Sequence, residues 1–280
     1  MLKKTSVLTI IFVLMLVLSG CGVKVVEDTV TYSLAANVSV VELLGYNGEI
    51  RWVPIRGDEQ PRIDIVKYVF GSDTKAMEQF LKLIHIQNNS TADKVTFRVE
   101  QPKLPYGVEG SAIQFVVYAS PEMISQFMAR TSNGSIYIDA TFKGYLDLQT
   151  SNGDIILSSG VGEVRARTSN GHIKFNETTL TGQSVLETSN GQIAGNLALS
   201  STGNFKFVTS NGDVELNLPY HTKGAFDIEA SNGKIEFSLG SRWANTEHKA
   251  LSLSLSSDPK IEISASNGNV IVLGGWKDLQ

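Results

Sequence analysis

Apolar and polar residues alternate along most of this chain. Stretches such as Val38-Ser39-Val40, Ile63-Asp64-Ile65-Val66, Lys94 to Glu100 and Ala112 to Tyr118 have the period of two that places successive side chains on opposite faces of a strand. Tyr46-Asn47-Gly48-Glu49-Ile50 reads as a tight turn between strands. One segment has a different period. Ser72-Asp73-Thr74 followed by Met77, Phe80, Leu81 and Ile84 predicts a capped amphipathic helix of about three turns, its apolar side facing the core. A loop with Pro102, Pro105, Gly107 and Gly110 separates the two strands that follow it.

From residue 131 the alternation becomes a repeat. Ser-Asn-Gly recurs seven times, giving a turn ladder of Asn133-Gly134, Asn152-Gly153, Asn170-Gly171, Asn190-Gly191, Asn211-Gly212, Asn232-Gly233 and Asn267-Gly268. The asparagines are spaced by 19, 18, 20, 21, 21 and 35 residues, so the last interval is one repeat carrying an insertion, 240–259. Around each copy the apolar phase is constant. Leu146 and Leu148, Val164 and Ala166, Phe205 and Phe207, Phe226 and Ile228, and Ile261 and Ile263 precede the turn, and an Ile or Val follows it. The parity buries these side chains and turns Arg165, Arg167, Glu187, Lys206, Asp227 and Glu229 outward. A second glycine, at 144, 162, 203 and 224, marks another turn of the repeat.

Two all-β topologies satisfy this parity. Asn-Gly suits a two-residue hairpin, which would build a β-meander or barrel. Stacked coils of a β-solenoid of ~20-residue repeats are favoured, because near-equal spacing lets each asparagine amide lie over the previous one, about 4.8 Å per step.

The first twenty residues change the picture from fold to address. Met1-Leu2-Lys3-Lys4 opens a signal peptide whose apolar core, Val7 to Leu18, is too short to span a bilayer comfortably. Leu18-Ser19-Gly20-Cys21 resembles the lipobox of bacterial lipoproteins. That resemblance implies cleavage before Cys21, a diacylglycerol thioether on its sulfur, and a membrane-anchored, extracytoplasmic protein of the cell envelope. Loss of Lys3 and Lys4 leaves 22 Lys and Arg against 28 Asp and Glu, a net charge of -6. A nucleic-acid partner needs a basic face and is not expected.

The Thr-Ser-Asn-Gly-x-Ile units, with the preceding strand Ile113 to Ser120 and Pro121, are similar to the DUF4097 family of bacterial envelope proteins, whose adhesin label derives from architecture. The resemblance covers roughly Val38 to Leu273. It implies a right-handed β-solenoid, often on a lipoprotein, and no catalytic residues. The expected organisation is a signal peptide 1–20, a lipidated tether 21–37, a β-rich part with one helix 38–130 and the repeat 131–280.

No cofactor, metal site or catalytic group is expected. The residues after each turn glycine are Ser135, Asp154, His172, Gln192, Asp213, Lys234 and Asn269, too varied for calcium-binding coils. Glu187 with Glu229, or Asp154 with Asp213, offers a carboxylate pair of the kind a glycosidase uses, but outward acids on any repeat look alike. Arg165, Arg167, Arg242 and Trp243 are the candidate binding surface, and Trp276 is expected to cap the last coil. The reading is a non-enzymatic, lipid-anchored protein displaying a repetitive surface to wall polymer or glycan. A signalling lipoprotein that contacts a membrane protein is the alternative.

Overall fold

The computed structural model describes residues 24–246 and 249–276. The signal peptide and Cys21 lie outside the described residues. The described chain is all-β with one helix, its strands joined in a single open sheet.

The strands flanking each Asn-Gly corner pair across coils. Gln183–Asn190 runs parallel to Asn204–Asn211, with Leu186 opposite Phe207, Thr188 opposite Thr209 and Asn190 opposite Asn211. Ile193–Leu199, beyond the same corner, runs parallel to Val214–Pro219. A hairpin meander requires antiparallel neighbours, so the Asn-Gly pairs are corners of stacked coils. Backbone angles agree with this: among the described residues Glu177 is the sole non-glycine with positive φ, so no asparagine adopts the left-handed conformation of a hairpin turn. The second glycine does not end a strand in the first two coils either. Ile136–Gln149 and Ile155–Asn170 run through Gly144 and Gly162 as long bent strands.

The predicted parity holds throughout. Leu146, Val164, Phe207, Ile228, Ile263 and their partners after the corner, Ile136, Ile155, Ile173, Val214 and Val270, are all buried in one continuous core. Each buried aliphatic or aromatic side chain contributes about 1.5–3 kcal/mol of transfer free energy, and the core is the main source of stability. The helix Thr74–Leu83 forms where expected. Asp73 caps it by accepting from the Ala76 N–H at 3.1 Å, and Met77 and Phe80 are buried beneath it.

At both ends the stacking order departs from chain order. Val40–Leu44 lies between Lys94–Glu100 and Gln126–Arg130, parallel to both. The coil containing Asn47 is therefore a rung of the same stack, not a separate turn. At the other end, Lys260–Asn267 lies between Asn204–Asn211 and Ala225–Ala230, and Val270–Trp276 lies between Val214–Pro219 and Ile235–Leu239. The seventh repeat is inserted between the fifth and sixth.

Antiparallel strands close both ends. Lys24–Ser33 pairs with Arg62–Gly71, which pairs with Val108–Tyr118. At the far end the insertion supplies Arg242–Thr246 against Ile235–Leu239 and Ala250–Ser254 against Ala225–Ala230. Residues 24–33, expected as part of a free tether, are thus held in the sheet by a full antiparallel ladder, with Val26 buried. From Lys24–Ser33 to Arg242–Thr246 the pairings count eleven strand spacings, about 50 Å at 4.8 Å each.

Candidate functional site

The Asn-Gly corner is built by three stacked interactions. First, each asparagine Nδ2 donates to the Oδ1 of the asparagine in the adjacent coil: 133 to 47 at 2.6 Å, 152 to 133 at 2.7 Å, and 170 to 152, 190 to 170 and 211 to 190 at 2.8 Å. Asn267 then donates to Asn211 at 2.9 Å and Asn232 to Asn267 at 2.8 Å, following the spatial order and not the chain order. Second, the buried threonine two residues before Asn133, Asn152, Asn170, Asn190 and Asn211 donates to a glycine carbonyl of the adjacent coil, as Thr150 does to Gly134 at 2.8 Å and Thr188 to Gly171 at 2.9 Å; alanine stands there before Asn232 and Asn267. Third, the coils approach most closely at the glycines. A Cβ on Gly171 would lie 1.9 Å from the Gly153 carbonyl oxygen, and one on Gly191 would lie 2.0 Å from that of Gly171. Glycine is required here by proximity.

Five of the seven residues after the glycines, chemically varied, share one property. Ser135 accepts the backbone N–H of Asp154 at 3.1 Å, Asp154 that of His172 at 2.8 Å, and His172 Nδ1 that of Gln192 at 3.0 Å. Asp213 accepts from Asn269 at 2.7 Å and Asn269 from Lys234 at 3.0 Å. Hydroxyl, carboxylate, imidazole and amide serve alike because only an acceptor is needed. The two aspartates of the Asn-Gly-Asp sequences are engaged with backbone donors and sit three coils apart, about 14 Å. Glu187 and Glu229 are also three strands apart, and Glu187 holds Arg167 at 2.8 Å. Neither pair reaches the 6.5–9.5 Å or shorter separation of glycosidase carboxylates. Among the described residues no group of three His, Cys, Asp or Glu side chains converges to hold a metal ion.

The outward rows carry charges in complementary order. Lys94 meets Glu42 at 2.7 Å, Arg130 meets Asp147 at 3.3 Å, and Lys206 meets Glu262 at 2.6 Å. The hydrogen bond with Lys94 is the largest influence on Glu42 and holds its carboxyl below the usual range, while that with Glu262 raises the Lys206 ammonium. Arg165 lies 3.6 Å from Glu163 and over the Tyr145 ring, and Arg167 is the partner of Glu187. Both arginines are exposed, but their charge is balanced within the ladder.

The less balanced surface is at the far end. Asn176, Asn196 and Asn217 form a second amide ladder, with Asn196 donating to Asn176 at 3.5 Å and Asn217 to Asn196 at 3.2 Å. This row opens into a groove of about 500 Å³ lined by Asn196, Asn217, Ser238, Leu273 and Trp276, with Gly274 and Gly275 in its floor. Trp243 pairs opposite Ser238 and is 73% exposed beside this groove, next to the exposed Arg242. Trp276, opposite Pro219, is a groove wall and not the expected cap, because its strand lies inside the stack between Val214–Pro219 and Ile235–Leu239. Arg165 and Arg167 are separate from this place, whereas Trp243 adjoins it through Ser238 and Arg242 pairs with the buried Leu239. The amide row escaped the sequence reading, although Asn176, Asn196 and Asn217 recur six residues after Asn170, Asn190 and Asn211. Asn47 was equally legible, through Asn-Gly-Glu-Ile, but it lacks the preceding Thr-Ser.

Residues 81–202 match the model of the Toastrack DUF4097 family, a narrower span than the resemblance suggested. No curated protein matches the chain. Among solved structures, a putative adhesin from Bacteroides fragilis is 10% identical, with 89% of this chain and 97% of that one covered at a TM-score of 0.44. A putative adhesin from Parabacteroides distasonis is 8% identical, covering 87% and 96% at 0.40. A putative cell adhesion protein from Clostridium sporogenes is 10% identical, covering 89% and 100% at 0.32.

Proposed function

From a chain that carries a Toastrack DUF4097 region over residues 81–202, we propose a lipid-anchored, non-enzymatic envelope protein that displays a glycan-binding or wall-polymer-binding surface at the end of a right-handed β-solenoid. The groove lined by Asn196, Asn217, Ser238 and Trp276 is the observation that carries this reading. Amides supply both donors and acceptors for sugar hydroxyls, and an indole face supplies an apolar platform for a pyranose ring. Trp243 widens that platform, and the open groove suits an extended chain better than a small molecule. The groove sits seven to ten strand spacings, about 35–50 Å, from Lys24, so an anchor at Cys21 would hold it away from the bilayer. Repeated weak contacts along a polymer then sum to useful avidity.

Intrinsic fluorescence tests this directly. Trp52 is fully buried, its Nε1 bonded to the Ala119 carbonyl at 3.1 Å, so a ligand-dependent change reports on Trp243 and Trp276. Titration with purified wall polymer and a glycan panel should give saturable change, and Trp243→Ala or Trp276→Ala should each weaken binding roughly tenfold, about 1.4 kcal/mol. Binding that survives both substitutions together would remove the groove from the reading. No saturable binding to any polymer would shift the assignment to a protein partner in the envelope.

A further inference from the structure

We infer that the loop 101–107 at the opposite end of the stack is a membrane contact: Tyr106 and Leu104 enter the headgroup layer of the bilayer that holds Cys21, and Lys24 and Lys103 face its phosphates. The inference rests on Cys21 being the lipid anchor. Tyr106 is 100% exposed and Leu104 46%, and Leu83, at the end of the helix packed on the same strands, is 60% exposed. The exposure of Tyr106 and Leu104 is built in. Pro102 and Pro105 stiffen the loop, Val108 closes a turn onto the Pro105 carbonyl at 3.2 Å, and the Gly107 carbonyl accepts the N–H groups of Ser72 at 3.1 Å and Asp73 at 3.2 Å. The loop is thereby fastened to the junction of the strand Arg62–Gly71 with the helix.

The anchor enters at the same place. Lys24 lies opposite Gly71, and Gly71 opposite Val108, so Lys24 is two strand spacings, about 10 Å, from the base of the loop. Cys21 precedes Lys24 by three residues, which reach about 10 Å at full extension. With residues 24–33 held in the sheet there is no long spacer to carry the molecule away from the lipid. A bilayer retaining acyl chains at Cys21 must pass within about 20 Å of the loop base.

The chemistry of the loop suits that surface. Tyrosine, with an apolar ring and a polar tip, is favoured at the membrane interface, and Leu104 adds apolar area beside it. Lys24 and Lys103 are both exposed, and lysines close to an anionic leaflet each contribute about 1 kcal/mol of attraction. The nearest acids in sequence, Glu100 and Glu109, belong to the flanking strands, where they line one groove with Lys103, Leu104 and Arg98.

The test uses the full chain, expressed in bacteria so that Cys21 is processed, and reconstituted into phosphatidylethanolamine and phosphatidylglycerol vesicles. A thioether at Cys21 leaves no free thiol, so Tyr106→Cys and, separately, Trp243→Cys each accept one environment-sensitive fluorophore. The expected result is flotation with the vesicles, a blue-shifted emission at position 106 quenched by nitroxide-bearing lipid, and a water-like emission at 243. Flotation with a water-like, unquenched probe at 106 overturns the membrane contact while leaving the anchor intact. Failure to float, with a second fluorophore taken up by Cys21, overturns both. Charge reversal at Lys24 and Lys103 together should reduce the quenching at 106, and should do so less on vesicles of phosphatidylcholine alone.

Discussion

In the middle of the stack, from Ile136 to Pro219, spatial neighbours are also successive repeats, and each coil completes the edge left by the one before. At the two ends this relation fails. The coil holding Asn47 waits for both residues 94–118 and 126–138, and the coil of residues 225–239 remains separated from its chain predecessor until 260–276 fills the gap. The comparison separates two kinds of information. Asparagine, glycine and inward parity define what a coil is, and they are interchangeable among slots. Slot order is set by connections, here the antiparallel strands 242–246 and 250–254 that pair with the outer edge of the sixth coil and lie between it and the strand 260–267 in the chain. The same arrangement deals with the unpaired edge that any parallel stack would otherwise expose to other chains.

The largest effect is expected from removing the inserted coil. Ending the chain after Pro259 deletes the buried side chains of Ile261, Ile263, Val270 and Val272, about 1.5–3 kcal/mol each as an upper bound, and unpairs both neighbours. Hydrogen exchange should show protection lost across 225–254 and largely kept in 136–199. Uniform loss would mean that the middle coils are not an independent cooperative unit and that the two regions fold as one. Protection retained at 225–239 would mean that the sixth coil can move one slot inward, which the interchangeable rung chemistry permits.

A smaller effect separates the crowded corner from the open position at Gly275. Gly191→Ala places a methyl 2.0 Å from a backbone oxygen that cannot move without shifting the adjacent coil, and should cost about 3 kcal/mol in urea unfolding. Gly275 has nothing within 4 Å of the corresponding position, and its substitution by alanine should change stability by less than about 0.5 kcal/mol. Equal costs would show that backbone freedom in the unfolded chain, and not coil proximity, governs these glycines.

The same comparison shows what was legible in the sequence. The inward parity of Leu146, Phe207 or Ile263 and the helix at 74–83 could be read because each is a local pattern with a period of its own. The asparagine ladder could be anticipated from equal spacing. The position of 260–276 could not, since an interval of 35 residues announces an insertion without saying which neighbour the following coil will meet. Residues 24–33 read as a spacer in the sequence because KVVEDTVTYS carries charge and weak alternation, and its strand partner, Arg62–Gly71, is about 40 residues away. The role of the residue after each glycine was hidden for a different reason. Ser135, Asp154, His172 and Asn269 share no charge or size, only the ability to accept one hydrogen bond.

The finest test of the two regions lies in the asparagine ladder itself. Asn190 both donates to Asn170 and accepts from Asn211, each at 2.8 Å, whereas Asn232 is the last rung and is joined to the ladder by its single bond to Asn267. Alanine at either position removes exposed amides, for which net contributions of about 1 kcal/mol per bond apply. Asn190→Ala should therefore cost about 2 kcal/mol and Asn232→Ala about 1. Chains of amides polarise one another, so a cooperative ladder would raise the first cost beyond the sum of its two bonds. The double substitution decides this: 190 and 232 are separated by 211 and 267, and additive losses would mean that each amide acts only on its neighbours, while a coupling above about 0.5 kcal/mol would mean that the ladder transmits along its length.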